Sequence, residues 1–127
     1  MIDYTFFFKD YTFPFAVEEA SNGWQYLMFP LLYADHDCIG VYVKYDENAG
    51  TYLLTDDGET LGVHCCFDKK RHTDILQKIV ACMGVECKED ELFAVATDQT
   101  FSVRLIELVS AILAVDTVVH AQAFKEK

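Results

Sequence analysis

The chain has 127 residues, 52% of them hydrophobic, with 21 Asp and Glu against 10 Lys and Arg and a formal net charge of -11. That size and apolar content suit one domain around one core, and ten Phe with seven Tyr exclude the disorder that acidity alone would bring. The charge excludes a generic phosphate-backbone binder, which needs clustered cations, and favours a basic partner or an uncharged one. No stretch approaches the ~18 apolar residues of a membrane span, and the N-terminus lacks the basic start and cleavage site of a signal peptide, so a cytoplasmic location is expected. Five cysteines without framework spacing are expected to be thiols in a reducing compartment.

In chain order, residues 2 to 15 alternate loosely, through Ile2, Tyr4, Phe6 and Phe8 and then Tyr11, Phe13 and Phe15, which predicts a strand or two before Pro14 interrupts pairing. So many exposed aromatics would be sticky, and either the core or a second subunit should cover them. Glu18 to Gly23 is polar and ends in the turn signal Asn22-Gly23. Trp24 to Tyr33 is an apolar segment broken by Pro30. Cys38 to Tyr45 predicts a strand with Ile39, Val41 and Val43 on one face and Tyr42 and Lys44 on the other. A turn over 46–50 leads to its partner, Thr51 to Thr55. After Asp56-Asp57-Gly58 a short helix is expected within Glu59 to Phe67.

Ile75, Leu76, Ile79, Val80 and Met83 recur at helical spacing and predict a helix over about 73–83, ended by Gly84. Leu92 to Ala96 predicts a short strand. Ser102 is the expected N-cap of a last helix, about 102–119, with Leu105, Ile106, Val109, Ile112 and Leu113 buried. The fold class is therefore α+β, a largely antiparallel sheet with two main helices packed against it. A single domain over 1–127 is expected, with an aromatic segment over 1–23 preceding the rest.

The string Val41-Tyr42-Val43-Lys44-Tyr45, the stretch Thr51-Tyr52-Leu53-Leu54-Thr55-Asp56-Asp57-Gly58-Glu59-Thr60-Leu61 and the helix from Arg71 to Gly84 resemble the bacterial and phage family called domain of unknown function 1828. The likeness covers about 24–118, and its most specific piece is the Thr55-Asp56-Asp57-Gly58 turn. It implies a fold and a phage or mobile-element context, and it carries over no catalytic residue. In size and charge the chain also resembles small acidic phage inhibitors of bacterial defence, including anti-CRISPR proteins.

Asp56, Asp57 and Glu59 could gather around Mg²⁺ or Ca²⁺, but turn chemistry and capping of the next helix explain the same residues. Lys44 is the one nearby cation a nuclease would need. For zinc, His36 with Cys38, the group His64, Cys65 and Cys66, and the pair Cys82 and Cys87 offer ligand types without paired short spacing. Cys82, between Ile79 and Met83, also reads as plain core. No phosphate loop or nucleophile elbow is present. No catalytic residue, metal or cofactor is therefore expected.

The charge itself is the remaining signal. Carboxylates at Asp35, Asp37, Asp46, Glu47, Asp56, Asp57, Glu59, Glu86, Glu89, Asp90 and Glu91 would let a non-enzymatic inhibitor occupy a positively charged surface, with Tyr42, Tyr45 and Tyr52 on the outer side of the hairpin as anchors. The expected partner is a basic protein or ribonucleoprotein complex of the host, without direct nucleic-acid or membrane contact. The alternatives are a metal-dependent hydrolase using Asp56, Asp57 and Glu59, or a regulatory domain that homodimerises through its aromatic N-terminus.

Overall fold

The computed structural model describes residues 2–8, 15–65 and 68–125, with the backbone alone at 71 and 123–125. The strands are β1 (Ala16–Glu19), β2 (Gln25–Leu32), β3 (Cys38–Asp46), β4 (Thr51–Thr55), β5 (Glu86–Lys88) and β6 (Glu91–Ala96). They form one sheet in the order β1-β2-β3-β4-β6-β5, with every neighbouring pair antiparallel. Two main helices, α1 (Lys69–Met83) and α2 (Phe101–Lys125), complete the α+β fold expected from the sequence. The second packs on β3, β4 and β6, and the first packs on the second.

The alternation read in β3 separates the faces. Ile39, Val41 and Val43 are fully buried, while Tyr42 and Lys44 are half-buried on the other side. Register extends the buried layer across the sheet, since Val41 lies opposite Leu27, Val43 opposite Leu54, and Leu54 opposite Ala94. Above it α2 lays Phe101, Leu105, Leu108, Ile112, Val115 and Val119, all buried and recurring every three or four residues. Ile106, expected in that stripe, is 38% exposed, because the stripe runs through Leu108 instead.

Helix ends account for the other boundary differences. Asp68 starts α1 four residues before the expected position: its carboxylate accepts the Lys70 N–H, and its own N–H donates to His72 Nδ1. This reciprocal cap lies in a polar turn that apolar spacing does not reveal. Gly84, at φ 70, ends α1 as expected, with the Val85 N–H returning to the Val80 carbonyl. Cys82, one possible core residue, is exposed. At α2 the Thr100 carbonyl takes the Arg104 N–H, so the helix opens before Ser102 and places Phe101 in the core.

Of the described N-terminal aromatics, Phe8 is buried and Tyr4, Phe7 and Phe15 pack half-buried against the core, while Phe6 is 51% exposed. Tyr4–Phe6 is a 3-10 turn, not a strand, held by the Asp3 carboxylate accepting the Thr5 N–H. Phe7 stacks on Phe101 at 4.2 Å, and Phe15 meets Phe29 at 5.6 Å. Tyr11, Phe13 and Pro14 lie outside the described residues. The edge strands β1 and β5 had no apolar pattern to reveal them; Glu86, read as loop, is on β5. The helix expected over 59–67 is one wide i→i+5 turn, Thr60–His64, with 66 and 67 outside the described residues.

Candidate functional site

Antiparallel connectivity decides which acidic segments meet. The β2–β3 loop carrying Asp35 and Asp37, the chain leaving β4 with Asp57 and Glu59, and the β5–β6 turn with Glu89, Asp90 and Glu91 all lie at one end of the sheet. Four strand spacings from β2 to β5 make this acidic end about 20 Å wide. Asp46 and Glu47 fall at the opposite end, about 27 Å away along β3. There the Asp46 carboxylate accepts the Asn48 and Ala49 N–H groups and shapes its own hairpin turn. The fourteen candidate residues are therefore not one surface.

Asp56 is an internal strut. It is 0% exposed, with Oδ1 accepting the Gly58 and Leu92 N–H groups and Oδ2 accepting the Thr60 N–H. Burial raises its carboxyl pKa, against the lowering effect of these hydrogen bonds. The bond to Leu92 ties the turn after β4 to the start of β6, which explains why an Asp is needed here. Asp57 follows with φ 54 and is exposed; the turn directs two adjacent carboxylates to opposite environments.

Among the described residues no helix lies over the outer sheet face at Tyr42. Its hydroxyl donates to Glu59 Oε1 at 3.2 Å, and burial and the Glu59 charge raise its pKa. Tyr26 lies against it at 4.6 Å between centroids, over Gly40. Beside them is a cleft of about 240 Å³ lined by Ser21, Asn22, Trp24, Tyr42, Thr55 and Asp57. Tyr45 and Tyr52, expected on the same side, pair on the opposite face instead. The period of two puts residues three apart on opposite faces, and Tyr52 is buried against Phe101.

Two groups of metal-capable side chains flank the β2–β3 loop. In the first, His64 Nδ1 lies 2.6 Å from Asp35 Oδ2 and 3.8 Å from Asp37 Oδ2, with its ring stacked on Tyr33 at 3.8 Å. The bond to His64 lowers the pKa of the Asp35 carboxyl. In the second, Cys65, Asp116 and His120 bring their ligand atoms within 4.8 Å of one another. His64 and Cys65 were singled out in the sequence, whereas Asp116 and His120 were not. An Asp four residues before a His, in the otherwise apolar stripe of α2, is the pattern that marks them. Among the described residues, neither His36 with Cys38, nor Cys82 with Cys87, nor the Asp56-Asp57-Glu59 turn forms such a group.

The profile of the family described as domain of unknown function DUF1828 matches residues 29–115, and the chain belongs to that family. The match covers Cys65 and the carboxylates of the acidic end, while Asp116 and His120 follow directly after it. No curated protein and no solved structure matches the chain significantly. Among the described residues no helix is long and apolar enough to cross a membrane.

Proposed function

We propose that this chain is a non-enzymatic binding domain for a basic protein surface, engaged by the acidic end of the sheet and the aromatic cleft beside it. The observation that carries the reading is that three separate acidic segments converge on one end of the sheet while Tyr42 and Trp24 line an open cleft next to Asp57. Carboxylates steer a cationic partner and aromatic faces hold it, through cation–π contact as well as apolar burial. Lys44 shows the second interaction within the chain, its Nζ lying 5.7 Å from the Trp24 ring centroid. In its most concrete form the partner is a basic, nucleic-acid-handling complex of bacterial defence, of the CRISPR type, and binding excludes its nucleic acid. A hydrolase centre at Asp56, Asp57 and Glu59 has less support, since both Asp56 oxygens are engaged by the backbone.

The test is capture of partners from a bacterial lysate containing CRISPR effectors, washed at low and at high salt. Asp57→Asn with Glu89→Gln and Glu91→Gln should release a basic complex that the wild type retains at low salt, while Asp46→Asn with Glu47→Gln should retain it. Equal retention by both variants would sink the proposal.

A further inference from the structure

The second metal-capable group is assembled with more constraint than a surface cluster. The wide turn Thr60–His64 closes with the Cys65 N–H donating to the Thr60 carbonyl, and Cys65 is buried. Asp116 projects from the buried stripe of α2 and is 3% exposed. Its Oδ2 is fixed by the Ala34 N–H at 2.8 Å, which leaves Oδ1 to face the other two groups. Cys65 Sγ lies 3.6 Å from Oδ1, and His120 Nδ1 lies 3.2 Å from it.

Those spacings can be compared with a coordination sphere. Zinc bonds of ~2.3 Å to sulfur and ~2.0 Å to nitrogen or oxygen, at tetrahedral angles, place sulfur about 3.5 Å from oxygen and oxygen about 3.3 Å from nitrogen. The two separations from Asp116 Oδ1 agree with these to about 0.1 Å. The Ala34 amide supplies the outer bond that metal-binding carboxylates usually have. His120, with its side chain 33% exposed, gives the group a solvent-facing side.

Among the described residues the ion-pair partner of Asp116 is His120, so no Lys or Arg among them holds Oδ1 against an incoming cation. Without an ion the same contacts are a hydrogen-bonded chain. The thiol donates to Asp116 Oδ1, and the His120 Nδ1 proton is shared between that oxygen and the Asp116 backbone carbonyl at 2.8 Å.

We propose that Cys65, Asp116 and His120 form a binding site for a zinc-class divalent cation, coordinated by Sγ, Oδ1 and Nδ1. Coordination replaces the thiol proton of Cys65, which leaves to water, and the Nδ1 proton of His120, which moves to Nε2 so that the imidazole binds in its neutral form. A mixed sulfur, nitrogen and oxygen set selects Zn²⁺ or Co²⁺ over Mg²⁺ and Ca²⁺. The site is separate from the acidic cleft, and its test does not depend on a partner.

The full chain, purified with reductant, stripped by chelator and dialysed, is titrated with Zn²⁺ by calorimetry and with Co²⁺ by absorbance. The expected result is one ion per chain and a thiolate-to-cobalt charge-transfer band. Cys65→Ser should abolish the band, and Cys65→Ser and His120→Gln should each weaken Zn²⁺ binding by about 100-fold or more. Melting in chelator shows that each variant is folded; His120→Gln, at a partly exposed position, is the variant least exposed to misfolding. Binding of one ion that survives both substitutions would overturn the proposal. So would binding lost only in Asp35→Asn with Asp37→Asn, or the lack of any stoichiometric Zn²⁺ binding.

Discussion

The two faces of the sheet are made from the same strands, yet they follow different rules. On the α2 side Val41, Val43, Leu54 and Leu92 are wholly buried and opposed by apolar residues of α2. On the other side Tyr26, Tyr42 and Lys44 keep apolar bodies and polar tips half in water, with Tyr42 bonded to Glu59. The comparison teaches that covering by a helix fixes residue type through packing, whereas the uncovered face retains chemistry that packing does not require. The first face should govern stability and the second should govern binding.

The largest expected effect tests the covered face. Leu108→Ala removes a side chain that is 0% exposed and should cost about 3 kcal/mol in chemical denaturation. Gly40→Ala comes next and probes the open face where it is most tightly built. A Cβ there would lie 2.0 Å from Tyr26 Oη, so the ring must move, at about 2 kcal/mol. A double substitution with Tyr26→Ala should recover most of the loss specific to the added methyl. If Gly40→Ala alone is neutral, the open face is looser than described.

A gain is expected at the β5–β6 turn. Glu89 and Asp90 hold φ of 53 and 64, values that favour Asn and Gly. Glu89→Asn with Asp90→Gly should therefore raise stability by about 1 kcal/mol. Tyr42→Phe, by contrast, should change the unfolding free energy by less than about 0.5 kcal/mol, while weakening capture of the basic partner. A large stability loss in Tyr42→Phe would erase the distinction between the faces.

At neutral pH the last effect is nil. Burial pushes the Tyr26 and Tyr52 phenols up to about 12, whereas in the unfolded chain they titrate near ~10. The folded state therefore binds more protons in between. Their contribution is complete below pH ~10 and is lost as pH rises through ~12. Alkaline unfolding should be less steep in Tyr26→Phe than in the wild type.

The hairpin of β3 and β4, both main helices and the α+β class were legible because each has a strong period, or a turn signal such as the one that brackets 46–50. The edge strands were not, since Ala16–Glu19 and Glu86–Lys88 bury too little to alternate. Asp56 illustrates a different limit: composition marks it as acidic, but only its bond to the Leu92 amide, across 36 positions, shows it to be interior. Likewise Cys65 and Asp116 are 51 positions apart and meet because α2 crosses the wide turn. The acidic end was legible as charge, and its split from Asp46 and Glu47 required strand direction.

Among the described residues the sheet ends on β1 and β5, four and three residues long, and each bears glutamate. Short charged rails offer little backbone for an incoming strand to extend. In the proposed function recognition is thereby left to side chains. A basic partner of the kind proposed would approach across the open face or onto the acidic end, and the short charged edges give another copy of the chain little backbone to pair with.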